Sequence, residues 1–406
     1  MMRKIYLLIL MLSLSAGLKA QDDTIRVLYY NLLNYPGTTY ERFEYFADIM
    51  YYAQPDLILV NEITTEMAAD TLLDSALNIN GVNHFARAAF TNGYDSDNML
   101  FYNSNKFTLY AQDEIPTPLR LINEYSLYSV QGADTVFLRM YSCHLKASQG
   151  YEANRLVEIE AWLAHIDSLS SKENIMIGGD FNFYYTEPAY DTIINTSVVN
   201  MTDVLYLPGY IEWHADSAYK TLHTQSTRDT QFGGGASGGM DDRFDFIFMS
   251  SDIVAGNHKI VYVPGSYTPL GNDGLHFNTS IIAAPVNASV PDTIAEALYY
   301  MSDHLPVMAD FVLASSTAIE EQRQNALAVY PNPFTDYLII WLHADASPIV
   351  SAEVYDINGR MLISEKVAAD GQSARPDLLD YDLDQGLYML VVRTGNQTYT
   401  SRIIAE

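Results

Sequence analysis

The segment Asp56-Leu57-Ile58-Leu59-Val60 is apolar almost throughout and shows no alternation of polar and apolar residues. A strand of that kind needs cover on both faces, which a layered arrangement of sheets and helices supplies. Similar short runs recur. Ile25-Arg26-Val27-Leu28-Tyr29-Tyr30 reads as a strand, as do Met99 to Tyr102, Val136 to Cys143, Ile175 to Ile177, Phe244 to Met249 and Val307 to Leu313. Helical patterns lie between them. Thr39 to Ala53 puts Phe43, Phe46, Ile49 and Met50 on one face and stops before Pro55, and Thr65 to Leu77 reads as a second helix. Tyr151 to Leu169 carries Leu156, Ile159, Trp162, Leu163, Ile166 and Leu169 at helical spacing. The alternation predicts one layered α/β domain over residues 22–313, a size at which a single core still grows.

Beyond it the pattern changes. Residues 314–326 are polar and read as a linker. From 327 to 406 apolar and polar residues alternate between Gly and Asn turns, as in Val354-Tyr355-Asp356-Ile357-Asn358-Gly359-Arg360, which predicts a small all-β sandwich. Residues 1–20 read as a signal peptide, with Arg3 and Lys4 before an apolar stretch from Ile5 to Leu14 and a cut expected before Gln21. No later apolar run is long enough for a membrane span, so an exported product without stable membrane insertion is expected.

Charge narrows the function classes. The 406 residues hold 22 Lys+Arg and 50 Asp+Glu, a net charge of −28. Removing the leader takes three of those cations and no acid, leaving −31. Such a chain repels phosphate backbones at long range, which excludes a general electrostatic nucleic-acid binder. A phosphate substrate could be handled only locally, with a metal ion cancelling charge. One cysteine excludes an intrachain disulfide framework, and Cys143 reads as buried core.

Chemistry-bearing residues stand where apolar strands stop. Asn31 ends the first strand and Glu62 the second; His144 follows Tyr141-Ser142-Cys143; Asp180 and Asn182 follow Ile175-Met176-Ile177-Gly178-Gly179. Asp245 lies in Arg243-Phe244-Asp245-Phe246-Ile247, and Asp303-His304 precedes Leu305-Pro306-Val307. Any one of these alone reads as a helix cap or a solvated turn. Together they supply hard oxygen donors suited to Mg²⁺, Mn²⁺ or Ca²⁺, and two histidines for acid–base work. The cysteine and histidine clusters of structural zinc are absent, as is a Gly-x-Ser-x-Gly elbow. Gly233 to Gly239 reads as a flexible linker loop, Asn92 to Asn98 as a polar turn, and Arg243 as half of a structural ion pair. His214 and His223 have no visible partner in the sequence.

The order Asn…Glu…His-Leu…Gly-Asp-Phe-Asn…Arg-Phe-Asp-Phe-Ile…Ser-Asp-His-Leu-Pro-Val resembles the endonuclease/exonuclease/phosphatase superfamily over residues 25 to 313. The resemblance implies a four-layered α/β sandwich of the deoxyribonuclease-I type that cleaves phosphate esters with a divalent metal. It assigns metal binding to Glu62 with Asn31 and Asp303, the general base to His304, and support of that base to Asp245. Asp180 would orient the attacking water or bind metal, and His144 and Asn182 would bond phosphate oxygens. Val329-Tyr330-Pro331-Asn332-Pro333-Phe334 with Gly386-Leu387-Tyr388 and a final strand resembles a type IX secretion sorting domain of Bacteroidota, which implies recognition of residues 327–406 by that machinery. The expectation is a secreted or surface-attached monomeric nuclease that degrades extracellular nucleic acid with Mg²⁺, Mn²⁺ or Ca²⁺. The alternatives are a phosphatase or sphingomyelinase-type phosphodiesterase, and an inactive adhesion module.

Overall fold

The computed structural model describes residues 23–314 apart from 39, 132–133, 185, 206–212 and 232, and much of 327–405. The expected signal peptide and, apart from the buried Ala314, the expected linker 314–326 lie outside the described residues.

Two sheets carry the catalytic part of the chain. The first has the order Ile260–Tyr262 (β11), Val307–Leu313 (β13), Asp23–Tyr35 (β1), Leu57–Ile63 (β2), Asp97–Asn103 (β4) and Phe85–Arg87 (β3), with Thr268–Pro269 (β12) also paired to β13. The second runs Thr108–Ile115 (β5), Ile122–Gln131 (β6), Asp134–His144 (β7), Ile175–Asp180 (β8), Asp245–Ser250 (β10) and Met201–Asp203 (β9). Helices Phe43–Ala53 (α1), Glu66–Leu72 (α2) and Asp292–Met301 (α6) bury apolar faces in the core of the first sheet. Glu152–Ser168 (α3) and Pro188–Asn195 (α4) cover the second, and the short Ser251–Ala255 (α5) follows β10. This is the expected four-layered α/β sandwich.

Local chemistry explains the boundaries. Thr65 caps α2 by accepting from the Ala68 N–H at 3.1 Å, and Gln54 ends α1 in the left-handed region. Gly178 and Gly179 let the layers close up. A Cβ on Gly178 would lie 2.7 Å from the Tyr29 ring, and one on Gly179, at φ +130°, would lie 2.7 Å from Asn61 Oδ1 of the other sheet.

Strand direction places the site. β1 and β2 are parallel with Asn31 beside Asn61, and β7 and β8 are parallel with His144 beside Asp180. β10 is antiparallel to β8, so its first residue, Asp245, meets Asp180. β13 is antiparallel to β1, so His304 just before it comes to the same end. Residues spread over more than 270 positions are thereby brought to one end of the two sheets.

The tail forms two small sheets. One pairs Leu327–Tyr330 (β14), Ile339–Leu342 (β15) and Ser373–Ala374 (β18). The other pairs Met361–Lys366 (β17), Ile349–Tyr355 (β16), Gly386–Thr394 (β19) and Thr398–Ala405 (β20). They enclose a core of Leu338, Ile340, Val354, Leu390, Val392 and Ile403. Among the described residues no helix is long and apolar enough to cross a membrane.

Candidate active site

Asn31 begins the site. Its Oδ1 accepts from the Leu33 N–H at 2.9 Å, which fixes the amide. Its Nδ2 then donates to Glu62 Oε1 and Asp180 Oδ2, each at 3.0 Å. The sequence-based expectation made Asn31 a metal ligand. In the structure its oxygen accepts from backbone and its nitrogen orients the two carboxylates. The second Glu62 oxygen accepts from the Asn34 N–H at 2.8 Å. Arg42 holds this turn by donating to the carbonyls of Leu32, Leu33 and Met301.

His144 closes the cluster. Its Nε2 lies 3.7 Å from Glu62 Oε1 and 3.5 Å from Asp180 Oδ2. The ligand atoms of Glu62, His144 and Asp180 all fall within 4.8 Å of one another. The β7–β8 register delivers Asp180 and His144 side by side next to Glu62. Burial, assisted by the Arg120 charge, holds the His144 imidazole well below its usual range and therefore neutral. Asp303 stands on the His304 side, where its Oδ2 accepts from the Ala236 N–H at 2.6 Å.

The acid–base pair is explicit. His304 Nδ1 donates to Asp245 Oδ2 at 2.8 Å, and His304 Nε2 lies 3.6 Å from Asp180 Oδ2. Burial opposes charge on His304, but Asp245, Asp180 and Asp303 outweigh it and hold the imidazole well above its usual value. Asp180 is pushed up to about 7, chiefly by burial and further by Asp245 and Glu62, against the pull of His304. Glu62 is also raised, by burial first. Asn182 stands in the left-handed region after β8, with its N–H on Asp180 Oδ1 at 3.0 Å.

The donor set fits a hard divalent cation. Glu62 and Asp180 present oxygens with neutral His144 as a third donor, and Asp245 Oδ1 and Asp303 Oδ1 are buried with no hydrogen-bond partner. Carboxylates gathered out of water repel one another and bind protons unless a cation offsets them.

Several contributors are not marked in the sequence. Asn61 Oδ1 accepts from the Asp180 N–H at 3.1 Å, while its Nδ2 donates to Asn98 Oδ1 and Ser142 Oγ across the sheets. The Gln225 side-chain amide lies against His304 Nε2 at 2.6 Å. The glycine-rich loop read as a linker instead lies over the site: a Cβ on Gly235 would stand 2.6 Å from Asp303 Oδ2. His214 pairs through Nδ1 with Asp242 and meets the Tyr184 ring, and His223 bonds the Trp213 carbonyl. Arg243 forms the expected structural pair, bidentate to Asp203 at 2.8 Å, and Cys143 is fully buried.

A two-sheet sandwich whose coincident strand ends gather an imidazole–carboxylate dyad and a carboxylate cluster defines a phosphoester hydrolase. The chain belongs to the endonuclease/exonuclease/phosphatase family, whose model matches residues 28–304. Residues 328–406 match the secretion system C-terminal sorting domain, which directs the chain to the cell surface or the extracellular space. No curated protein sequence matches the chain. Among solved structures, the human nocturnin catalytic domain with bound sulfate is 18% identical, with a TM-score of 0.47, covering 71% of this chain and 97% of that one. Truncated TDP2 of Caenorhabditis elegans is 16% identical, with a TM-score of 0.45, covering 71% and 97%. A mannosyl-6-phosphatase of Bacteroides thetaiotaomicron is 15% identical, with a TM-score of 0.45, covering 71% and 99%.

Proposed function

We propose that the protein is an exported, divalent-metal-dependent hydrolase of a small phosphate ester. The observation that carries the reading is the convergence of the His304–Asp245 dyad and the Glu62–Asp180–His144 cluster at one end of both sheets. Water attacks phosphorus and gives its proton to His304 Nε2, while Asp245 on Nδ1 fixes the tautomer and supports the imidazolium. Asn31 and Asn61 hold Asp180 in place, and the Asn182 and Asn34 N–H groups fix the Asp180 and Glu62 carboxylates. A bound divalent cation would be held by Glu62, Asp180 and His144 and would supply charge neutralisation on the phosphoryl group and leaving oxygen.

The small substrate departs from the extracellular-nuclease expectation, and surface charge supports the departure. A polynucleotide track needs free cations along a groove. Arg87 is bonded to Glu66 and Asp70, Lys106 to Asp23 and Asp56, Arg120 to Asp95, and Arg155 to Glu187, while Arg42 spends its donors on carbonyls. Lys146 lies over the Tyr151 ring. The test offers the purified protein p-nitrophenyl phosphate, bis-p-nitrophenyl phosphate, hexose phosphates, sphingomyelin, DNA and RNA with Mg²⁺ or Mn²⁺. Turnover of small esters with little on DNA or RNA is expected, together with a loss of about 10²–10⁴ in kcat for His304→Ala at unchanged folding. Faster turnover of nucleic acid would restore the nuclease reading. Full activity in His304→Ala would remove the mechanism.

A further inference from the structure

We propose that Arg42 and Arg228 are positioning residues, two guanidinium groups that hold the carboxylate side of the site and the His304 side at a fixed separation. Arg42 grips both sides, and Arg228 grips the second. The inference rests on the phosphoester-hydrolase reading of the site and deepens it, by naming what keeps the metal ligands and the base in step.

The helix before His304 supplies the reason. Helix α6 stops at Met301 and the chain turns extended at Ser302, with no glycine to close the last turn. A helix end leaves carbonyl oxygens without helical partners, at the negative end of the macrodipole. Here arginines take them. Arg228 Nε donates to the Tyr299 carbonyl at 2.9 Å and Nη2 to the Tyr300 carbonyl at 3.4 Å, and Arg42 Nε donates to the Met301 carbonyl at 3.1 Å. Thr227 continues the series, with Oγ1 on the Ser302 carbonyl at 2.6 Å and its N–H on the Asp303 carbonyl at 3.1 Å. Five successive carbonyls, from Tyr299 to Asp303, are thus held, and the next residue is His304. The His304 N–H itself donates to Ser302 Oγ at 3.1 Å.

The remaining donors of Arg42 reach the turn after Asn31. Nη1 donates to the Leu33 carbonyl at 3.0 Å and Nη2 to the Leu32 carbonyl. Each carbonyl shares a planar peptide unit with the N–H of the next residue. The Leu33 carbonyl belongs with the Asn34 N–H, which donates to Glu62 Oε2, and the Leu32 carbonyl with the Leu33 N–H, which donates to Asn31 Oδ1. Arg42 therefore fixes from behind the two peptide planes whose front edges orient Glu62 and the Asn31 amide. A charged donor on a carbonyl also polarises the N–H across the plane and strengthens the bond that it makes. The bonds of Arg228 named above all fall on α6. A planar guanidinium can meet carbonyls on two sides at once, whereas a lysine ammonium is a point charge that cannot span them.

The test uses the full-length protein and the variants Arg42→Lys and Arg228→Lys, which keep the charge, with melting temperatures as the check on folding. Arg228→Gln replaces the second if it does not fold. Mn²⁺ affinity is read from the EPR signal of the free ion, and kcat from bis-p-nitrophenyl phosphate at saturating Mn²⁺. Arg42→Lys is expected to bind Mn²⁺ about tenfold more weakly, the scale of a hydrogen bond lost from an orienting group. It should also lose up to about 100-fold in kcat, the scale of a base displaced by about 1 Å. Arg228→Lys is expected to lose kcat on the same scale while keeping wild-type Mn²⁺ affinity. Millimolar methylguanidinium should restore Mn²⁺ affinity to Arg42→Ala. Wild-type Mn²⁺ affinity in Arg42→Lys overturns the hold on Glu62, and wild-type kcat in Arg228→Lys overturns the hold on His304. Equally weakened Mn²⁺ binding in both variants overturns the division and reduces the pair to packing. Hydrogen–deuterium exchange supplies an arm without turnover: Arg42→Lys should speed exchange in both 31–35 and 299–305, and Arg228→Lys in 299–305 alone. A wild-type protein inactive on every phosphate ester refutes the phosphoesterase reading instead, and the exchange arm still decides the clamp.

Discussion

Glu62 and Leu33 occupy left-handed backbone angles, φ +58° and +47°, that cost an ordinary side chain about 1–3 kcal/mol. Both are fixed by the site: Glu62 by the donors of Asn31 and Asn34, Leu33 by its N–H on Asn31. The cost is tolerated because the turn aims three groups at one point. Asp180 carries a second cost. Its folded-state value is raised from 3.8 to about 7, so the folded chain keeps a proton that the unfolded chain releases. In metal-free protein that difference lowers stability as pH rises from about 4 to about 7. Asp180→Asn is therefore expected to melt higher than wild type in EDTA at pH 8, with the gap closing near pH 4. Added Mn²⁺ should raise the wild-type melting temperature more than that of the variant. Equal shifts in the two proteins would show that Asp180 is not a ligand. Glu62, Asp180, Asp245 and His304 are legible in the sequence because each stands at or beside the end of an apolar strand. Asn61, Gln225 and Ala236 are not, since an asparagine, a glutamine and a backbone N–H acquire meaning only from what folds against them.

Among elements, strands and helices with one clean period were legible, and those with buried polar groups were not. Strand β6 buries Asn123, Glu124, Ser126 and Ser129, which erases its period. Those groups are satisfied by contacts from elsewhere, as when Tyr141 and His165 meet Glu124. Helix α6 carries Ile294, Ala295, Ala297, Leu298 and Met301 at helical spacing and follows a long irregular tract. That tract is tied by His276. Its Nδ1 lies 2.8 Å from Asp273 Oδ1, and its Nε2 lies 3.0 Å and 2.9 Å from the Ala283 and Pro285 carbonyl oxygens. Acceptors at both nitrogens demand two N–H donors, hence the imidazolium. Burial opposes that charge, but the Asp273 bond and the carbonyls prevail and raise the His276 value above 6.5. A raised value means stabilisation that is complete below about 6.5 and lost as pH climbs through the folded-state value. His276→Gln should therefore lower the melting temperature at pH 6 and converge on wild type toward pH 9. A deficit independent of pH would assign His276 a packing role only.

At the scale of the whole molecule the net charge of −28 acts at a distance, whereas the site acts in contact. Long-range repulsion slows the approach of an anionic ester, and salt screens it. kcat/KM for p-nitrophenyl phosphate is expected to rise between about 10 and 200 mM NaCl, where the Debye length shrinks from about 30 Å to under 10 Å. A steep fall over that range would reveal a cationic track and favour a polynucleotide substrate. The tail belongs to this scale too, since its role is export and not chemistry.

The sequence by itself determined the layered α/β class, the β tail, the acidic character and the spelling of most strand-end residues. Periodicity and composition are local, and each strand fixes its own last residue. The tertiary structure decided which ends coincide, that Asn31 turns its nitrogen rather than its oxygen to Glu62, that His144 joins Glu62 and Asp180, and that Gln225 reaches His304. Those outcomes depend on parallel register within each sheet and on two glycines that let one sheet approach the other, distances that neighbouring residues along the chain do not encode.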